Sequence, residues 1–91
     1  MRSSLFDAWL SNLRDGRGHA RIASRIKTVQ RGSLGDYKSL DGGLFELRID
    51  YGPGYRVYFT RKEDVIILLL IGGDKSSPKC DIARARAMME E

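Results

Sequence analysis

Arg48 and Arg56 are the side chains best placed to do chemistry in this chain. They lie in the stretch LFELRIDYGPGYRVYFTRKEDVIILLLI, Leu44 to Ile71, which reads as two hairpins in series. Side chains alternate across a strand, so Phe45, Leu47, Ile49 and Tyr51 share one face of the first strand, leaving Leu44, Glu46, Arg48 and Asp50 on the other. In the second strand Tyr55, Val57 and Phe59 oppose Arg56, Tyr58 and Thr60. A guanidinium stays protonated, so two of them on one exposed sheet face predict a place for an anion. Glu46, Asp50 and Tyr58 share that face.

The register between these strands decides which charges meet. Gly52-Pro53-Gly54 is the predicted turn, centred on Pro53. That turn pairs Asp50 with Arg56, Arg48 with Tyr58 and Leu47 with Phe59. The other register that matches apolar faces sets Arg48 opposite Arg56, a like-charge contact and the less favourable choice. Both keep the two arginines on one face. On patterns alone, the favoured reading of Asp50–Arg56 is a cross-strand ion pair, worth less than about 1 kcal/mol if exposed.

Two helices precede the strands. Ser4 is the predicted cap of the first, with Asp7 in the position of a capping-box acid. Leu5, Phe6, Trp9, Leu10 and Leu13 form an apolar stripe, ended by Asp15-Gly16, and Trp9 is expected in the core. The second helix is predicted from about Arg17 to Arg31, closed by Gly32, with Ile22, Ile26 and Val29 facing inward. Arg17, Arg21 and Arg25 fall at successive i, i+4 steps as a cationic ridge, with Lys27 and Arg31 on a neighbouring face. Like charges so spaced repel, and their retention points to a polyanionic or acidic protein partner. His19 is expected at the surface.

Residues 32–43 are rich in turn formers and read as a connecting loop. Lys62-Glu63-Asp64 is the predicted second turn. Val65 to Ile71 is apolar throughout, so this strand should be covered on both sides. Gly72 to Ser77 reads as a tight turn without the spacing of a phosphate-binding P-loop. Ser77 and Pro78 then open a short last helix, whose end at Glu90 and Glu91 opposes its dipole. Cys80 is read as a small buried or helix-start residue, with no histidine placed to activate it.

The totals set the frame. The whole chain, residues 1–91, is expected to form a single domain. A hydrophobic fraction of 42% and a charged fraction of 31% are those of a soluble globular protein. No apolar run reaches the roughly 18 residues that span a bilayer, and no secretory h-region follows Met1, so a cytoplasmic protein without a membrane partner is expected. One cysteine excludes an intramolecular disulfide, and no His/Cys cluster predicts a metal. The net charge is +4. Residues 1–32 hold seven Lys/Arg against two Asp/Glu and residues 33–91 nine against ten, so the surplus belongs to the helices.

With two helices, three antiparallel strands and a short helix in that order, the strings GDYKSL, ELRIDYGPGYRVYF, LLLIGGDKSS and DIARA resemble the RelE/ParE toxin superfamily. The nearest branch is the HigB-like, phage-derived group often called addiction module killer proteins. The resemblance runs from about Trp9 to Met88. It implies an α+β fold: an N-terminal helical hairpin on an antiparallel β-meander of three to four strands, with a short C-terminal helix. It implies a toxin of a type II toxin–antitoxin system, neutralised by a cognate antitoxin that in this branch is typically a helix-turn-helix protein. Many members cut messenger RNA in the ribosomal A site. ParE-like members instead inhibit DNA gyrase, and a degenerate member would only bind its antitoxin.

Carried over by position, Arg48 matches a basic residue on the strand after the helical hairpin in RelE-like nucleases. Arg56, in Gly54-Tyr55-Arg56, matches their arginine that contacts the scissile phosphate, and Lys75 falls near another phosphate-stabilising basic residue. Cleavage without metal or cofactor needs a base for the 2′-hydroxyl, cations for the phosphorane charge and an acid for the 5′-oxygen. The resemblance thus assigns Arg48 and Arg56 to charge stabilisation and Lys75 to a third cation or acid. It leaves Glu46, Asp50 and Tyr58 open as acid, base or stacking groups. Arg17, Arg21, Arg25, Lys27 and Arg31 are expected to meet RNA or the ribosome. The chain departs from RelE where Glu46 replaces a lysine and where no tyrosine follows Lys75. Relatives usually begin with a short strand, and its reduction here predicts a stub or an unpaired sheet edge.

Overall fold

Two side-chain caps delimit the opening helices in the computed structural model, which describes residues 2–62 and 65–90, and of 62 and 65–68 the backbone only. Ser3, one residue earlier than predicted, caps α1 (Ser4–Ser11) by accepting the Phe6 N–H at 2.9 Å. Asp7 instead pairs with Arg2 at 3.7 Å. Asp15 belongs to the next helix rather than only ending the first: it caps α2 (Gly16–Gln30) by accepting the Gly18 N–H at 3.0 Å. Gly32 follows α2 in the left-handed conformation expected of it, at φ 100°.

The sheet has four antiparallel strands in sequence order: β1 (Tyr37–Ser39), β2 (Leu44–Ile49), β3 (Tyr55–Lys62) and β4 (Val65–Asp74). The segment read as a loop over 32–43 therefore contributes an edge strand, pairing Tyr37 with Leu47 and Ser39 with Phe45. Three residues among turn formers carry too little periodicity to be seen as a strand. β4 continues through Gly72, Gly73 and Asp74, which were expected to turn. Those glycines admit close neighbours: a methyl group on Gly72 would lie 2.2 Å from the Trp9 ring, and one on Gly73 2.2 Å from Asp81. The other edge is met by a stub. Arg2 forms a parallel bridge with Leu69, and the Ser3 N–H donates to the Leu69 carbonyl at 2.9 Å. Glu63, Asp64 and Glu91, invoked in the predicted turn and helix end, lie outside the described residues.

Both faces of the sheet are covered. α1 and α2 bury Phe6, Leu10, Ile22, Ile26 and Val29 against Leu47, Ile49, Tyr55, Val57, Phe59 and Leu69. Trp9 packs at the margin of this core, its ring edge-on to Tyr55 at 6.2 Å. On the other face α3 (Pro78–Met89) closes Leu44, Tyr58, Leu70 and Ile71 under Ala85. Pro78 occupies the first turn of α3, Cys80 is exposed beside it, and Arg86 ties the helix to the β1–β2 turn through the Leu40 carbonyl. The face read as polar and exposed is thus mostly a second core, and Glu46 and Tyr58 are inside it. No helix among the described residues is long and apolar enough to cross a membrane.

Candidate functional site

The β2–β3 register departs from the prediction and brings the two arginines together. Ile49 pairs with Tyr55, Arg48 with Arg56, Leu47 with Val57 and Glu46 with Tyr58. The expected partners Asp50–Arg56, Arg48–Tyr58 and Leu47–Phe59 do not form. The turn is the reason. Residues 50–54 make a wider loop than one centred on Pro53, with the Gly54 N–H donating to the Tyr51 carbonyl at 3.1 Å and both Gly52 and Gly54 at positive φ. Asp50 is left outside β2, exposed.

Glu46 resolves the repulsion that made this register unattractive. Its Oε1 accepts from Arg48 Nε and from Arg56 Nη1, each at 2.8 Å. The carboxylate is buried, with 2% of the residue exposed, while the Arg48 and Arg56 side chains keep 40% and 22% of their surface. One fixed anion below two half-exposed cations orients both guanidinium planes. The bond with Glu46 raises the Arg48 pKa above its ordinary value, so the charge is permanent. Glu46 is committed to these two bonds and sits beneath the surface, where it cannot reach a substrate as acid or base.

The Arg48 backbone is held from both sides. Its N–H donates to the Asp36 carbonyl at 3.0 Å, and its carbonyl accepts from Arg25 Nη1 at 3.0 Å. Arg25 also donates to the Leu34 carbonyl at 2.7 Å. This member of the predicted ridge is therefore a strap between α2, the following loop and β2, and it is turned inward. Arg17, Arg21, Lys27 and Arg31 are exposed.

Lys75 arrives from the turn after β4. Asp74 fixes that turn by accepting the Ser76 N–H at 2.8 Å and the Ser76 hydroxyl, and these bonds hold the Asp74 pKa below its ordinary value. The Lys75 stem lies over Gly54, where an added methyl group would come within 3.2 Å of it. Arg48, Arg56 and Lys75 then line one cleft of about 220 Å³, together with Asp36, Asp50 and Tyr55. Its three cations and two carboxylates leave a formal charge of +1. Tyr55 donates to Asp15 at 2.9 Å, tying the start of α2 to the cleft wall. Asp36 and Tyr55 were not singled out in the sequence: Asp36 was placed in a loop, and alternation assigned Tyr55 to the opposite face.

Tyr58 does not join them. It is fully buried beneath α3, its hydroxyl near the Glu46 carboxylate but without a hydrogen bond of good geometry. Burial, with the charges of Glu46 and Asp81 adding to it, pushes the phenol above its ordinary pKa. A ring closed off in this way cannot stack on a base. Tyr58 does not line the cleft. Among the described residues no three His, Cys, Asp or Glu side chains converge so as to hold a metal ion.

The chain is thus an α+β protein whose four-stranded antiparallel sheet carries a cleft of fixed cations at the β2–β3 turn. A protein of Haemophilus influenzae Rd, described as uncharacterized, is 50% identical to it over 86 residues, 94% of this chain and 87% of the relative. The chain belongs to the same family as that protein. No family model and no solved structure matches the chain.

Proposed function

We propose that this protein is the toxin of a type II toxin–antitoxin pair, a RelE/ParE-like endoribonuclease that cuts messenger RNA on the ribosome in the cytoplasm. The observation that carries the reading is the convergence of Arg48, Arg56 and Lys75 on one cleft whose rim also holds the exposed carboxylate of Asp50. A cleft serving only to attract polyanions would gain from cations alone. The mixture of charges matches a phosphodiester undergoing attack by its own 2′-hydroxyl. Arg48, Arg56 and Lys75 would hold the phosphate and stabilise the charge that develops on it. Asp50, one of the two acidic residues lining the cleft, would take the hydroxyl proton, and Lys75 would supply one to the leaving 5′-oxygen. The order of helices and strands and the strings named above support the family, and a helix-turn-helix antitoxin is the partner it implies.

A second reading is favoured by Glu46. Its carboxylate offsets part of the arginine charge, and a site so neutralised could bind RNA or an antitoxin without cutting. Induction of the chain alone in growing cells separates these readings. The nuclease reading expects growth arrest with new 5′ ends inside translated messages, and Arg56→Ala removes both. Arrest with intact messages would contradict cleavage and point to a gyrase-type target. Absence of arrest would leave the binding-only reading.

A further inference from the structure

The cationic cleft does not end at Asp50. Ile49 and Asp50 also line a second hollow of about 360 Å³, shared with Arg21, Ser24 and Arg25. Arg21 and Ser24 in turn line a third of about 290 Å³, with Arg17, Ala20 and Tyr51. Successive hollows share wall residues, Ile49 and Asp50 and then Arg21 and Ser24, along a groove-like path from Lys75 and Arg56 across the β2–β3 turn to the exposed face of α2. At its far end the Arg21 guanidinium lies over the Tyr51 ring, 4.8 Å from the centroid. One side of that guanidinium is occupied by tyrosine. Arg21 is exposed, so its other side offers a flat cationic surface of the kind on which nucleobases stack.

The charges along the groove set a direction. Phosphate is attracted at the Arg48, Arg56 and Lys75 end and repelled by Asp50 in the middle. A carboxylate accepts hydrogen bonds, and the ribose 2′-hydroxyl is a donor. In cleavage by internal attack, the 2′-hydroxyl that must meet the base belongs to the nucleoside on the 5′ side of the scissile phosphate. We infer that the groove takes single-stranded RNA with the scissile phosphate among Arg48, Arg56 and Lys75, the preceding 2′-hydroxyl at Asp50, and a base on the 5′ side stacked on Arg21 and Tyr51. The Arg21–Tyr51 pair would then read the sequence upstream of the cut. This inference rests on the nuclease reading above and adds a polarity and a base subsite to it.

Two diadenylates test the polarity, each with a 2′-deoxy first nucleoside and a neutral methylphosphonate linkage so that only the terminal phosphate is anionic: ApAp, with a terminal 3′-phosphate, and pApA, with a terminal 5′-phosphate. Titration of the intact protein, followed by amide shifts, is expected to show ApAp binding tighter by about five- to a hundredfold, the range of one base stack. Tyr51→Ala and Arg21→Ala should abolish that preference while leaving the affinity for inorganic phosphate unchanged, and Tyr51→Phe should retain it. Unchanged phosphate affinity also certifies that Tyr51→Ala has folded. Equal binding of the two diadenylates, with phosphate still bound, would overturn the groove polarity and leave the phosphate cleft standing. A preference that survives Tyr51→Ala and Arg21→Ala would overturn the stacking subsite. No binding of either diadenylate or of phosphate would overturn this inference together with the reading it rests on.

Discussion

Arg48 and Arg56 are direct cross-strand partners, and one buried oxygen of Glu46 accepts a hydrogen bond from each at 2.8 Å. Like charges in that position ordinarily count against a register. Here Glu46, two residues before Arg48 on the same strand and next to Arg56 across the pair, turns the contact into a three-membered unit. The unit does two things. It pays the electrostatic cost of the register, and it presents two guanidinium groups in fixed orientation to the cleft.

Replacing that oxygen's charge should therefore cost stability. Glu46→Gln keeps the volume but weakens two charge-assisted bonds, and the arginines' partial exposure lets water compensate in part. Denaturant unfolding is expected to show a loss of about 1–3 kcal/mol. Adding Arg48→Gln to Glu46→Gln removes the exposed repulsion and should recover part of the loss, so the double-mutant cycle is non-additive. Additive losses would mean that Glu46 does not couple the pair.

Tyr58 provides the opposite test. Its hydroxyl is buried near the Glu46 carboxylate without a hydrogen bond of good geometry, so Tyr58→Phe removes a desolvated group and at most a weak bond. Stability should change by less than about 1 kcal/mol, in either direction. RNA cleavage by Tyr58→Phe should match that of the unaltered protein. A large loss of cleavage without loss of stability would show that α3 moves aside and that the phenol takes part.

Acid stability should depend on Asp15. Its pKa is held below the ordinary 3.8, chiefly by the Gly18 N–H and then by the Tyr55 hydroxyl. A carboxylate with a lowered folded-state pKa contributes stability that is complete above the unfolded value and is lost as pH falls through the folded one. Asp15→Asn keeps a cap but not the charge. Thermal melts should show the unaltered protein ahead of Asp15→Asn at neutral pH, with the gap closing below 3.8. A gap that persists to lower pH would assign the difference to cap geometry and not to charge.

The sequence was legible where a single period decided the structure. The stripe through Phe6 and Leu10, the inward face of Ile22, Ile26 and Val29, and the alternation placing Arg48 and Arg56 on one face all reflect local geometry. It was less legible where a distant group settled a balance. The register was chosen from pairwise charges, and the outcome turned on Glu46 bonding both arginines at once. Tyr58 and Glu46 were read as exposed because alternation says which face a residue takes, not whether a later helix will cover it. α3 does cover it, although its apolar residues are weakly patterned. Arg25 was grouped with Arg17 and Arg21 by spacing, while its hydrogen bonds to the Leu34 and Arg48 carbonyls depend on a loop that spacing does not describe.

Messenger cleavage is read most directly with purified protein and ribosomes paused on a defined message, its 5′ ends mapped at nucleotide resolution. Cuts are expected within the codon in the ribosomal A site, reduced by at least about a hundredfold in Arg56→Ala assayed well below that variant's own melting temperature. An uncut message with the unaltered protein, or cuts that persist in Arg56→Ala, would contradict cleavage at this cleft.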